Sequence, residues 1–145
     1  MTIKAVTFDL DDTLWPLYDV IMNSHKLSND WLIEKHPQME GILFSSKERE
    51  MWQTLIKAEP SLANRLSELR KKVIETLLVE NGVDLSSASK DSEEAFEIFL
   101  DERHKVTYFD NVLEVLKKLK GSFKLGVLTN GNASIKTLGI DHLFD

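Results

Sequence analysis

The 145-residue sequence contains no cysteine, which excludes disulfides and thiolate metal sites and gives no sign of export. No apolar run approaches the roughly 20 residues of a membrane-spanning helix. The opening "MTIKAVTFDL" lacks the basic, then apolar, then small-residue order of a signal peptide. Nor is there a block of basic residues. The net charge is −6, which argues against nucleic acid as the main partner. Repeats and low-complexity segments are missing too. What is present, 42% hydrophobic and 29% charged residues, suits a cytoplasmic, acidic globular protein of one domain, or one domain with an insertion.

Three pieces follow one another along the chain. Residues 3–8, "IKAVTF", read as a short, largely buried β-strand that delivers its end to "DLDDTLW". From about 16 to 105 the pattern is helical. Leu62, Leu66, Leu69, Val73 and Leu77 step by three and four between Pro60, suited to a first helical position, and Gly82, suited to a C-terminal cap. Segments 19–36, 45–58 and 91–105 read as three further helices, the last with Ser92 as its N-cap. After 106 an amphipathic helix, "DNVLEVLKKLKG", leads to a second buried strand, "FKLGVLTNG". "ASIKTLG" then reads as a short helix. The expected fold is α/β, a Rossmann-like core of parallel strands in two segments, 1–15 and 106–145, interrupted by an all-helical insertion at 16–105. In such sheets chemistry sits beyond the carboxyl ends of the strands, so the two polar turns are expected to meet.

Asp9, Asp11 and Asp12 crowd like charges at that edge. An acidic turn after a strand is most often a solvated turn. A calcium loop starting at Asp9 fails, because Leu14 stands where glycine is needed and Val20 where the last ligand should be. Phosphoryl transfer fits better. One carboxylate can attack phosphorus to form an aspartyl-phosphate, and a second, two residues on, can protonate the leaving oxygen and later take a proton from water. Two anions facing an anionic phosphate call for a cation, and Mg²⁺ with oxygen ligands is the natural one. At the second strand the Thr129 hydroxyl and the amides of Asn130 and Gly131 can hold phosphate oxygens, helped by the N-terminus of the following helix. "TNG" alone is weak, since N-G is often a plain turn. Paired with the aspartate motif in this order it becomes specific.

"FDLDDTLW" resembles the first motif of the haloacid dehalogenase-like (HAD) hydrolases, and "VLTNG" their second. The resemblance covers essentially the whole chain. It extends to the subfamily I branch with a helical C1 cap, and "AVTFDLDDTL" and "TNGNA" are similar to bacterial FMN- and pyrimidine-phosphate phosphatases of that branch. The resemblance implies Asp9 as nucleophile and Asp11 as acid/base. It also implies Mg²⁺ on the Asp9 carboxylate and the Asp11 backbone carbonyl, phosphate on Thr129, and a small phosphorylated metabolite as substrate. Asp11 argues against the dehalogenases, which lack a carboxylate at that place. The family's third and fourth motifs, a lysine and an acidic pair, are not matched. Lys136 lies too close to the second motif, and Asp141 and Asp145 read as a connection. From this follow expectations of weak catalysis and of an open strand edge that invites homo-oligomers or strand exchange. A non-catalytic fragment or subunit that retains the fold and needs a partner, and a phosphomutase, are the alternative readings. Trp15, Trp31 and Trp52 are expected to pack rather than stack on substrate, with Trp15 the one beside the cleft. The four histidines, with no pair at metal-ligand spacing, read as surface or structural residues.

Overall fold

The structure is a computed structural model that describes residues 3–145. Two compact units divide it, one built from residues 1–23 and 102–145 and the other from 24–101. The division falls inside two helices. Among the described residues no helix is long and apolar enough to cross a membrane.

The first unit carries β1 (Ala5–Phe8), α5 (Val112–Lys120) and β2 (Lys124–Val127). The strands pair in parallel, with Ala5 opposite Lys124 and Phe8 opposite Val127. Helix α5 is the crossover that a parallel pair requires. Its apolar stripe places Leu116 in the core, with Val112 and Leu119 against it. Leu10, Leu14, Trp15, Leu125, Ile140 and Leu143 complete that core. The expectation of largely buried strands is corrected here. Ala5 and Thr7 are exposed, Val6 and Phe8 half-buried, and only Leu125 in β2 is buried. Among the described residues the sheet has two strands, so one edge of β1 and part of both faces stay open. Past β2 the chain returns to it. The Asp145 N–H donates to Leu125 O at 2.8 Å, and the Asp145 carboxylate accepts from the Leu125 N–H and from Lys124 Nζ, both at 2.9 Å.

The second unit is helical. It holds most of α1 (Tyr18–Lys35) and α4 (Leu85–Arg103), with α2 (Ser46–Ala58) and α3 (Leu66–Glu80) between them. Two predicted helices are re-bounded. The segment expected to be one helix from Pro60 is a 3-10 turn, Pro60–Asn64, followed by α3. The break at Arg65 shifts the helical phase, so that Leu62 is buried while Leu66 turns outward. Leu69, Val73, Ile74, Leu77 and Leu78 then form the buried face of α3. The C-terminus is capped as predicted around Gly82. With φ at +88°, that glycine lets its own N–H reach Val79 O at 3.1 Å and the Val83 N–H reach Leu78 O at 3.0 Å, the paired bonds that close a helix end.

Helix α4 begins at Leu85 rather than near Ser92. Asp84 caps it, accepting the Ser87 N–H at 3.0 Å, while Ser92 is buried in mid-helix with its hydroxyl on Ser89 O at 2.8 Å. A serine-rich first turn without apolar periodicity conceals such a start. Where α1 meets α4, small polar residues replace large apolar ones. Ser28 is buried and donates to Ala95 O at 2.8 Å.

Candidate active site

Parallel pairing aims both strands in one direction, and the Leu128 N–H still reaches Phe8 O at 2.9 Å. Beyond that bond lie Asp9 on one chain segment and Thr129 on the other, both at the carboxyl edge of the sheet. Asp9 is exposed, and among the described residues its Oδ1 accepts only the neighbouring Leu10 N–H, at 2.7 Å. That contact orients the carboxylate while leaving Oδ2 uncommitted among the bonds of the described residues.

Asp11 is held differently. Its Oδ1 accepts from Trp15 Nε1 at 3.0 Å and forms an ion pair with Arg103 Nη2. The other oxygen, Oδ2, faces Gly131, where a Cβ would collide with it. The two motifs are therefore in direct contact through Asp11 and Gly131, and glycine is required there by space rather than by backbone angle. Arg103 is buried at 1% exposure, and among the described residues its Nε and Nη1 have no hydrogen-bond partner. Unpaired buried donors of this kind are costly. Two donors, one aromatic N–H and one guanidinium, thus converge on the single oxygen Asp11 Oδ1 and fix the carboxylate's rotamer.

Asp12 answers the question raised by three aspartates in four positions. It sits at φ +55°, a left-handed conformation that aspartate tolerates better than most residues. Its N–H donates to Trp15 O at 2.8 Å, and its carboxylate accepts the Leu17 N–H at 2.8 Å. Asp12 builds the turn that leaves Asp9 and Asp11 at the edge. The crowding of charge is relieved in part by Arg103, a residue that sequence reasoning missed. Its place in the last turn of a helix suggests only a favourable interaction with the helix dipole, and nothing local signals a partner 92 residues away.

In the second polar turn, Thr129 is half-buried and Asn130 exposed. The Gly131 N–H donates to Thr129 Oγ1 at 3.2 Å, so it is engaged rather than open to a ligand, and the threonine hydroxyl keeps its own proton to donate. The expected helix after this turn is a hydrogen-bonded turn over 135–139 instead, with Leu138 N–H on Ser134 O at 3.0 Å. No helix N-terminus is available there to assist anion binding. The Ser134 N–H donates to His104 Nε2 at 3.0 Å. Lys136 is exposed on that turn, and Asp145 is committed to β2. Trp15 is fully buried and edge-on to Tyr108, with ring centroids 5.7 Å apart. It orders Asp11. Burial raises the Tyr108 hydroxyl above its usual pKa.

The fit to Mg²⁺ is one of chemistry more than of number. The Asp9 carboxylate and the Asp11 main-chain carbonyl are hard oxygen donors of the kind this ion takes. The Asp11 carboxylate is already occupied by Arg103 and Trp15. Among the described residues, no three His, Asp or Glu side chains gather in a way that could hold a metal.

Residues 3–145 match the family model of the haloacid dehalogenase-like hydrolases. The chain is 27% identical over 143 residues to 5-amino-6-(5-phospho-D-ribitylamino)uracil phosphatase YigB of Escherichia coli K12, covering 99% of this chain and 60% of that protein. It is 39% identical to a crystal structure described as 2-haloacid dehalogenase from Pseudomonas syringae pv. Tomato DC3000. The TM-score there is 0.94, over 99% of this chain and 62% of the other. The HAD-hydrolase YfnB from Bacillus subtilis, solved with magnesium bound, is similar in fold, at 17% identity and a TM-score of 0.54, over 100% of this chain and 64% of its own. The chain therefore spans about three-fifths of the length of the first two of these relatives.

Proposed function

The chain belongs to the haloacid dehalogenase-like hydrolases and has their α/β fold, and from that premise we propose that it serves hydrolysis of a small phosphomonoester through an aspartyl-phosphate on Asp9. The observation that carries this reading is the unequal treatment of two neighbouring carboxylates. Asp9 is exposed and held by one main-chain N–H, as a nucleophile needs to be. Asp11 is clamped on Oδ1 and presents Oδ2 to the second motif, as a proton carrier needs to be.

In the first step an Asp9 oxygen attacks phosphorus, the bond to the ester oxygen breaks, and the departing alkoxide takes the proton from Asp11 Oδ2. In the second step a water gives its proton to the same oxygen and attacks phosphorus, releasing inorganic phosphate and restoring Asp9. Thr129 donates its hydroxyl proton to a phosphate oxygen. Mg²⁺, held by the Asp9 carboxylate, the Asp11 carbonyl and waters, would screen the charge between carboxylate and phosphate.

The dehalogenase relative motivates a second reading, displacement of halide from a 2-haloacid. That reaction needs Asp9 but no proton on the leaving halide, and so leaves the clamped Asp11 without a task. Phosphate release from p-nitrophenyl phosphate with Mg²⁺, and chloride release from 2-chloropropionate, should be followed over hours with the wild type and Asp9→Asn. The expected result is slow phosphate release that Asp9→Asn abolishes. Chloride release alone, or identical phosphate release by both proteins, would overturn the reading.

A further inference from the structure

The helical unit carries a cleft of about 290 Å³ whose lining includes His25, Phe44, Glu48, Arg49, Trp52 and Arg70. Its chemistry is not that of a packing gap. Arg70 is half-buried, with its guanidinium carbon 3.9 Å from the centre of the Phe99 ring and 5.5 Å from that of Trp52. Its hydrogen-bond partner is the His25 ring, 2.9 Å from Nη1. Burial and then the adjacent Arg70 pull the His25 pKa from 6.5 to about 4, so the imidazole at neutral pH brings no charge to the pair. Burial also lowers Arg70 to about 10, against the opposing pull of Glu48, and it remains a cation. Among the described residues neither Arg70 nor Arg49 enters an ion pair.

Two further features share this cleft. Phe44 has φ +61°, a conformation that a bulky residue adopts only when its surroundings impose it. It is nonetheless 51% exposed, its ring centre 5.4 Å from that of His25. A strained backbone thus holds an apolar ring open to solvent, where no core requires it. The Phe44 N–H donates to Glu48 Oε2 at 2.6 Å, which turns the one lining carboxylate toward main chain. Two guanidinium groups therefore face the cleft with a single acid, already bonded, to offset them.

We propose that this cleft is a binding site for a small organic oxyanion, a carboxylate or a phosphoryl group, with an apolar body. Arg70 and Arg49 receive the charged head, because a planar guanidinium offers paired N–H donors that match either oxyanion. Phe44 and Trp52 cover the carbon body. The volume suits a small metabolite, at the lower end of ligand sites of roughly 300–1,000 Å³. The proposal does not rest on the chemistry assigned to Asp9, since every residue it uses lies between 24 and 101. The competing account is that Arg70 merely packs its stem and stacks, and that account predicts no ligand.

The test is a titration of the ¹⁵N-labelled chain with phenylphosphonate, with benzoate and with neutral benzamide, read at the Trp52 indole N–H. At least one anion should shift that resonance saturably in the millimolar range while benzamide does not, and the anion that binds names the head group. Arg49→Gln, an exposed change, and Phe44→Gly, which relieves the strained angle, should both weaken binding about tenfold or more, an order of magnitude corresponding to 1.4 kcal/mol. Phe44→Gly should bind less well without losing resistance to urea. Asp9→Asn should bind as the wild type does, which separates this site from the sheet edge. No saturable shift with either anion would overturn the proposal. So would equal binding of benzamide, wild-type affinity in Arg49→Gln or Phe44→Gly, or loss of binding in Asp9→Asn.

Discussion

Asp11→Asn and Arg103→Met break the same ion pair, yet the first should cost far more stability than the second. In Asp11→Asn a guanidinium with 1% exposure loses its counter-charge and keeps two nitrogens, Nε and Nη1, that already lack partners among the described residues. Removing one member of a buried pair costs about 3–5 kcal/mol. The amide oxygen still accepts a bond, which argues for the low end, about 3 kcal/mol. In Arg103→Met the lost pair is offset by eliminating the two orphaned donors, each worth about 1–3 kcal/mol. The Asp11 side chain, 14% exposed, can turn partly to water while keeping the Trp15 N–H. The two terms cancel to within about 2 kcal/mol. Urea and thermal melts read at the Trp15 indole resonance report on this unit directly. For a chain of this size Asp11→Asn should lower the melting temperature by about 6–12 °C, and the double variant should fall short of additivity by about 3 kcal/mol. Equal losses in the two single variants, or an additive cycle, would show that Arg103 is not held at a cost for the sake of Asp11.

Three further outcomes are expected. Gly131→Ala drives a methyl group into Asp11 Oδ2 and should reduce phosphate release at least tenfold, about 1.4 kcal/mol on the barrier, while the urea midpoint moves little; unchanged turnover would separate the two motifs functionally. His25 takes up its proton near 6.5 when unfolded but only near 4 when folded. Its contribution is therefore whole above pH 6.5 and drains as the pH falls toward 4, by at most about 1.4 kcal/mol per pH unit. His25→Gln should flatten that part of a pH series of urea melts. Asp84→Ala removes the cap of α4 and should cost about 1 kcal/mol, whereas a structure in which helix α4 began near Ser92 would leave Asp84→Ala neutral.

Features determined by bonds between near neighbours were legible in the sequence. The apolar stripe of α5 and the glycine cap at Gly82 follow from helical periodicity and end chemistry. The strand-then-aspartate pattern placed Asp9 and Asp11 at one sheet edge for the same reason. Tertiary structure decided the rest. The break at Arg65 is set by which leucine the core accepts, and mid-helix burial of Ser92 by a serine-rich turn that no apolar period announces. The half-open strands reflect how many neighbours a sheet supplies, which a strand's own residues do not encode. Arg103 is the clearest case. Its pairing with Asp11 spans 92 positions, and only folding brings such groups together, because chain-distant contacts leave no trace in local spacing. The strained Phe44 is similar, since a left-handed angle on a bulky residue is imposed by surroundings and never preferred by the residue itself.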